Sequence, residues 1–118
     1  MSSGLAFAPP KVTPIYNASK AAIHMLSESI RLQLADTTVK VKELVPSAVR
    51  TALLPGQEES EVAMPLDEFV AEVIALLQEQ PGANEIQVER VKFLRYGEAR
   101  GDYGQVVAAL NRSDPHAN

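Results

Sequence analysis

A chain of 118 residues allows one domain, and a composition 46% hydrophobic and 22% charged is that of an ordinary globular protein. The net charge of −4, with dispersed basic residues, offers no general attraction to nucleic acid or an anionic membrane. The lack of cysteine excludes disulfides and thiol chemistry; no apolar run approaches the ~18 residues of a membrane span, and Met1-Ser2-Ser3-Gly4 has no signal-peptide character, so the expectation is a soluble cytoplasmic protein.

In chain order, the first informative stretch is Ser3 followed by a Pro-rich apolar loop, Gly4 to Ile15, able to fold back and bring the serine beside Tyr16. Thr13-Pro14 reads as a helix start, with threonine at the N-cap and proline at the first helical position, where its missing N–H costs nothing. Within that helix Tyr16 and Lys20 are four apart and share a face. An ammonium close to a phenol favours the phenolate and eases proton exchange with a hydroxyl. Ile23, Leu26, Ile30 and Leu34 form one apolar stripe of the Pro14–Leu34 helix, and Ala18, Ala21, Met25 and Leu32 a second, a pattern that predicts packing on two sides. His24 reads as an ordinary helix-surface or interface histidine, and with His116 the only other one, a histidine-based metal site is not expected.

Val39 to Val45, with valine at 39, 41 and 45, alternates as a strand and stops at Pro46. The connection Pro46-Ser47-Ala48-Val49-Arg50-Thr51 follows. Residues 52–65 read as a mobile loop with a Pro55-Gly56 turn and unpaired acids at Glu58, Glu59 and Glu61. Leu66, Phe69, Val70, Val73, Ile74 and Leu77 predict a helix closed by Gln80-Pro81-Gly82, with Asp67 and Glu68 at its positive N-terminal end. Glu85 to Glu89 alternates as a last strand, extended in this reading through Val91-Lys92-Phe93. Tyr103, Val106, Val107 and Leu110 predict a short amphipathic helix, and the polar tail 112–118 is expected to be disordered, leaving 1–111 as the domain.

The Ser-Ser-Gly start, the thirteen-residue interval from Ser3 to Tyr16 and the run Tyr16-Asn17-Ala18-Ser19-Lys20 resemble the active-site segment of the short-chain dehydrogenase/reductase family. Pro46-x-x-Val49-x-Thr51, at the expected place downstream, resembles that family's Pro-Gly-x-Val-x-Thr loop, with Ser47 where glycine is usual. The resemblance implies an α/β fold of the doubly wound, Rossmann type. It implies hydride transfer between NAD or NADP and a carbonyl or alcohol carbon, with Tyr16 as acid/base, Lys20 lowering the tyrosine pKa and holding the nicotinamide ribose, and Ser3 orienting the substrate oxygen. Pro46, Val49 and Thr51 would meet the cofactor, and the Pro14–Leu34 helix would form a subunit interface.

The family's Gly-rich turn, which seats the dinucleotide pyrophosphate at a helix N-terminus, has no counterpart among the six scattered glycines. The asparagine of the family's catalytic tetrad also belongs to the half that carries that turn. The sequence is therefore expected to be the C-terminal portion of an oxidoreductase, inactive and without useful NAD(P) affinity as an isolated chain. The alternative is a catalytically silent, self-associating remnant or one half of a split enzyme. Substrate identity and the choice between NAD and NADP are not encoded in these residues.

Overall fold

The computed structural model describes residues 1–49 and 63–113. Helices α1 (Pro14–Gln33) and α2 (Leu66–Glu79) lead into strands β1 (Glu43–Val45) and β2 (Glu85–Gln87), and three further helices follow: α3 (Lys92–Arg95), α4 (Gly97–Arg100) and α5 (Tyr103–Ser113). β1 and β2 pair in parallel, with Glu43 opposite Glu85, Leu44 opposite Ile86 and Val45 opposite Gln87. The protein is thus α/β with a small parallel sheet, as a partial Rossmann-type fold requires.

The N-terminal segment extends the sheet on the other side of β1. Ser2 N–H donates to Leu44 O at 2.9 Å and Gly4 N–H to Pro46 O at 3.0 Å, the slanted spacing of a parallel pair. In such a ladder the return bond to Ser2 O would come from the N–H of residue 46, and proline has none. The pairing therefore ends at once, and the chain turns into a short 3-10 helix, Gly4–Ala6, packed against α1. Gly4 is obligatory here because a Cβ would lie 2.7 Å from Val91 Cγ2 and 3.0 Å from Leu94 Cδ1.

Thr13 and Pro14 start α1 as the sequence indicates, although the Thr13 hydroxyl donates to Asn17 Oδ1 at 3.0 Å and caps no backbone N–H. Buried Asn17 also donates to Pro10 O at 2.9 Å, and Asn111 of α5 holds the same loop through Lys11 N–H and Pro9 O. The loop that delivers Tyr16 is thus fastened at both ends. Packing of α1 is one-sided: Ile23, Ile30 and Leu34 are half-buried, while Leu26, Met25 and Leu32 of the predicted stripes remain exposed.

Both ends of α2 fall where Leu66 and Gln80 placed them. Phe69 and Val73 pack on Val45, Val88 and Val91, the centre of the core, but Leu66, Val70, Ile74 and Leu77 face outward. The predicted strand from Val39 shortens to Glu43–Val45, and Val39 is exposed, because β2 offers a ladder only three residues long. The extension of β2 through Phe93 is incorrect. After Gln87 the backbone turns: the Glu72 carboxylate takes Glu89 N–H at 2.6 Å and Val91 N–H closes on Val88 O at 3.1 Å, so Val88 and Val91 bury at a helical spacing of three. Gly101, at φ 84°, closes α4 with the left-handed residue a helix end needs. The helix predicted near the C-terminus runs on to Ser113, and the rest of the polar tail lies outside the described residues. Among the described residues no helix is long and apolar enough to cross a membrane.

Candidate active site

Tyr16, the third residue of α1, is 42% exposed. One turn later Lys20 brings its Nζ to 5.4 Å from the centre of the Tyr16 ring and 3.5 Å from Met1 O. The helix therefore brings phenol and ammonium together as their spacing predicted. Ser3 sits on the adjoining segment, nearly buried, in extended conformation at the cap of the 3-10 turn, and its Oγ accepts Leu5 N–H at 3.1 Å. A serine hydroxyl that accepts one bond still has its own O–H to donate. Among the described residues no hydrogen bond joins Ser3 to Tyr16 or Lys20.

Pro46 begins the loop after β1 and is tied to the serine segment through Gly4 N–H. Ser47 stands where the resemblance expects glycine, yet no described non-glycine residue has a positive φ, so the replacement carries no backbone strain. Ser47 Oγ is buried without a hydrogen-bond partner among the described residues. Val49 bridges in parallel to Met64, bringing together the ends of the stretch between them; Thr51 lies outside the described residues, as does the loop predicted from residue 52 as far as residue 62. A groove of about 550 Å³ opens between Leu5–Pro9, Asn17, Ala21 and Tyr103, and neither Tyr16 nor Lys20 lines it.

Beside this group lies a polar network that the sequence reading missed. Glu43 is 1% exposed, and register sets it opposite Glu85, an arrangement of like charges that is unfavourable without cations nearby. Arg95 supplies one, gripping both Glu85 oxygens at 2.9 Å while its guanidinium lies 4.1 Å from the centre of the Phe7 ring. That grip holds the Glu85 carboxyl below the usual carboxylate range. Glu43 itself takes the Ser2 hydroxyl at 2.5 Å and His24 Nδ1 at 2.8 and 3.0 Å, and His24 Nε2 reaches Glu28 at 3.1 Å. His24 is therefore a partly buried link between α1 and β1, packed edge-on to Phe7, and not an ordinary helix-surface histidine. Donor atoms of His24, Glu43 and Glu85 lie within 4.8 Å of one another, but Arg95, Ser2 and His24 itself already engage the carboxylates, which makes a hydrogen-bonded network and not a metal cradle. The signal was available in the strand pattern: period two puts Glu43 on the same face as Val41 and Val45.

The profile of the short chain dehydrogenase family matches residues 1–62, more than half of the chain and the whole of the Ser3–Tyr16–Lys20 segment. The uncharacterized oxidoreductase DltE of Bacillus subtilis is 36% identical over 118 residues, covering 97% of this chain and 46% of DltE. The uncharacterized oxidoreductase SERP2049 of Staphylococcus epidermidis is 31% identical over 94 residues, covering 77% of this chain and 41% of its own length. SA2266 of Staphylococcus aureus, also an uncharacterized oxidoreductase, is 33% identical over 84 residues, 69% of this chain and 36% of its own. The chain thus spans about half the length of the curated relatives it matches, and no solved structure matches it. With the family profile laid over more than half of its residues and a relative 36% identical over 97% of its length, this chain belongs to the short-chain dehydrogenase family.

Proposed function

We propose that this chain carries the proton-transfer side of an NAD(P)-dependent oxidoreductase that interconverts a carbonyl and an alcohol, and that it works only when joined to the dinucleotide-binding half of the fold. The observation that carries this reading is the pairing of Tyr16 with Lys20 on α1, together with a serine on the adjoining segment whose hydroxyl donates to no partner among the described residues. In the reducing direction Ser3 donates a hydrogen bond to the carbonyl oxygen, and Tyr16 Oη delivers the proton as that oxygen becomes an alcohol. Lys20, beside the ring, offsets the negative charge left on the phenolate and offers N–H donors to ribose hydroxyls. The nicotinamide, when bound, supplies or accepts the hydride.

The residues present suit the nicotinamide-ribose end of such a cofactor. Lys20 is partly exposed, and Ser47 Oγ, in the loop that follows β1, has no hydrogen-bond partner among the described residues. Among the described residues the pyrophosphate end finds no equivalent support: α1 begins at Thr13-Pro14 and α2 after Pro65, neither on a Gly-rich turn. NAD or NADP is therefore expected to bind weakly, if at all, to the chain alone. Calorimetric titration of the isolated chain tests this directly. Absence of binding into the high micromolar range fits the reading, whereas low-micromolar binding contradicts the division of labour.

The exposed apolar faces favour an accompanying proposal on assembly. Ile15, Met25, Leu26 and Leu32 on α1 are all more than half exposed, and such a row on a soluble protein usually has a partner. A second copy docking through the Pro14–Leu34 segment would cover them.

A further inference from the structure

We infer that Glu43 is the positioning residue of the active site, the point at which the serine-bearing segment and the tyrosine–lysine helix are locked together; the inference rests on the functional reading above. A carboxylate 1% exposed is costly unless its oxygens are well partnered, so its partners are held as firmly as it is. Those partners come from two different places in the chain. Ser2, whose hydroxyl donates to Glu43 Oε2, is the immediate neighbour of Ser3. His24, whose Nδ1 meets both Glu43 oxygens, lies one turn beyond Lys20 and two beyond Tyr16, in the series 16, 20, 24 along one side of α1.

Each arm is fixed from its far side as well. Ser2 N–H is bonded to Leu44 O on the strand that carries Glu43, and Glu28 holds His24 Nε2. Lys20 Nζ makes a long third tie, 3.5 Å to Met1 O, between the same two segments. A single carboxylate therefore sets the separation between the hydroxyl that orients substrate and the phenol that moves the proton. Glu43 need not touch substrate to matter, because an error of about 1 Å in such an arrangement costs on the order of 10²-fold in rate.

The hydrogen bonds, not the charge, define the role, and this gives the test. A glutamine at position 43 can accept the Ser2 proton through its oxygen and donate N–H to His24 Nδ1, with His24 Nε2–H still given to Glu28. Leucine can do neither. In the isolated chain, hydrogen exchange of the Ser2 and Gly4 amides is expected to accelerate in His24→Leu and Glu43→Leu and to stay near wild type in Glu43→Gln. In the enzyme completed with its nucleotide-binding half, Ser2→Ala, His24→Leu and Glu43→Leu are expected to lower kcat by about 10- to 100-fold per folded molecule, with KM for the nucleotide little changed and Glu43→Gln restoring most of the loss. Where Glu43→Leu fails to fold, Ser2→Ala and His24→Leu carry the same comparison. Wild-type exchange at Ser2 and Gly4 in His24→Leu, or lowered melting temperatures with kcat unchanged, overturns the positioning role. Tyr16→Phe in the same assay separates the two ideas. If it is inactive while Ser2→Ala and His24→Leu run at the wild-type rate, the functional reading stands and the Glu43 inference falls; if it turns over normally, the functional reading itself fails.

Discussion

Gly4 shows how closely the serine segment is fitted. The Cβ of an alanine would press on Val91 Cγ2, a branched side chain with little freedom to yield, so the segment must shift to admit it. Gly4→Ala is expected to lower stability by about 1–3 kcal/mol, read from the urea midpoint. The Glu85–Arg95 pair makes a second prediction at this scale. The folded-state pKa of Glu85 is depressed, first by the Arg95 hydrogen bonds, so its contribution is complete above the ordinary glutamate value and is lost as pH falls through the lower folded value. Stability measured from about pH 6 down to about pH 3 is expected to fall less steeply in Arg95→Ala than in wild type, the variant already lacking the linked term. Parallel curves would contradict the assignment. The candidate residues Ser3, Tyr16 and Lys20 were legible because their identity and spacing are local. Glu43 was not, since nothing near it in sequence announces that Ser2, forty-one positions away, and His24 will satisfy its oxygens.

At the scale of elements, punctuation was the reliable signal. Thr13-Pro14, Leu66 and Gln80-Pro81 bound their helices because proline and helix-end residues act through their own backbone chemistry. Strand length was not legible, because it is set by the partner: β1 is as long as the three residues β2 presents to it. The alternation of Glu85 to Glu89 breaks phase at Val91, three residues after Val88, and there Glu72 and the turn at Val88–Val91 capture the backbone groups. The apolar stripes were visible in α1 and α2, whereas which side they pack against was not; half of each faces outward. Replacing Met25 and Leu26 by glutamate is expected to shift the isolated chain toward monomer in sedimentation without loss of helix. Unchanged mass, or a wild-type chain already monomeric across the micromolar range, would remove α1 from the assembly.

For the molecule as a whole, a sheet of two strands and one partial neighbour leaves the α2 row of Leu66, Val70, Ile74 and Leu77 uncovered. The chain spans 46% of DltE, and in the proposed reading the rest of a larger α/β body covers the α2 row. On this account the chain contributes the proton-transfer machinery and another part of the fold contributes the dinucleotide site. The measurement closest to that claim is carbonyl reduction by the chain completed with a nucleotide-binding half, wild type against Tyr16→Phe, with helix content and melting temperature compared in parallel. The account predicts a loss of turnover on the order of 10²–10⁴-fold with the fold intact, since phenylalanine preserves the ring and removes the proton that must move. Normal reduction with phenylalanine at position 16 would contradict it, and Tyr16 and Lys20 would then be no more than neighbours on a helix.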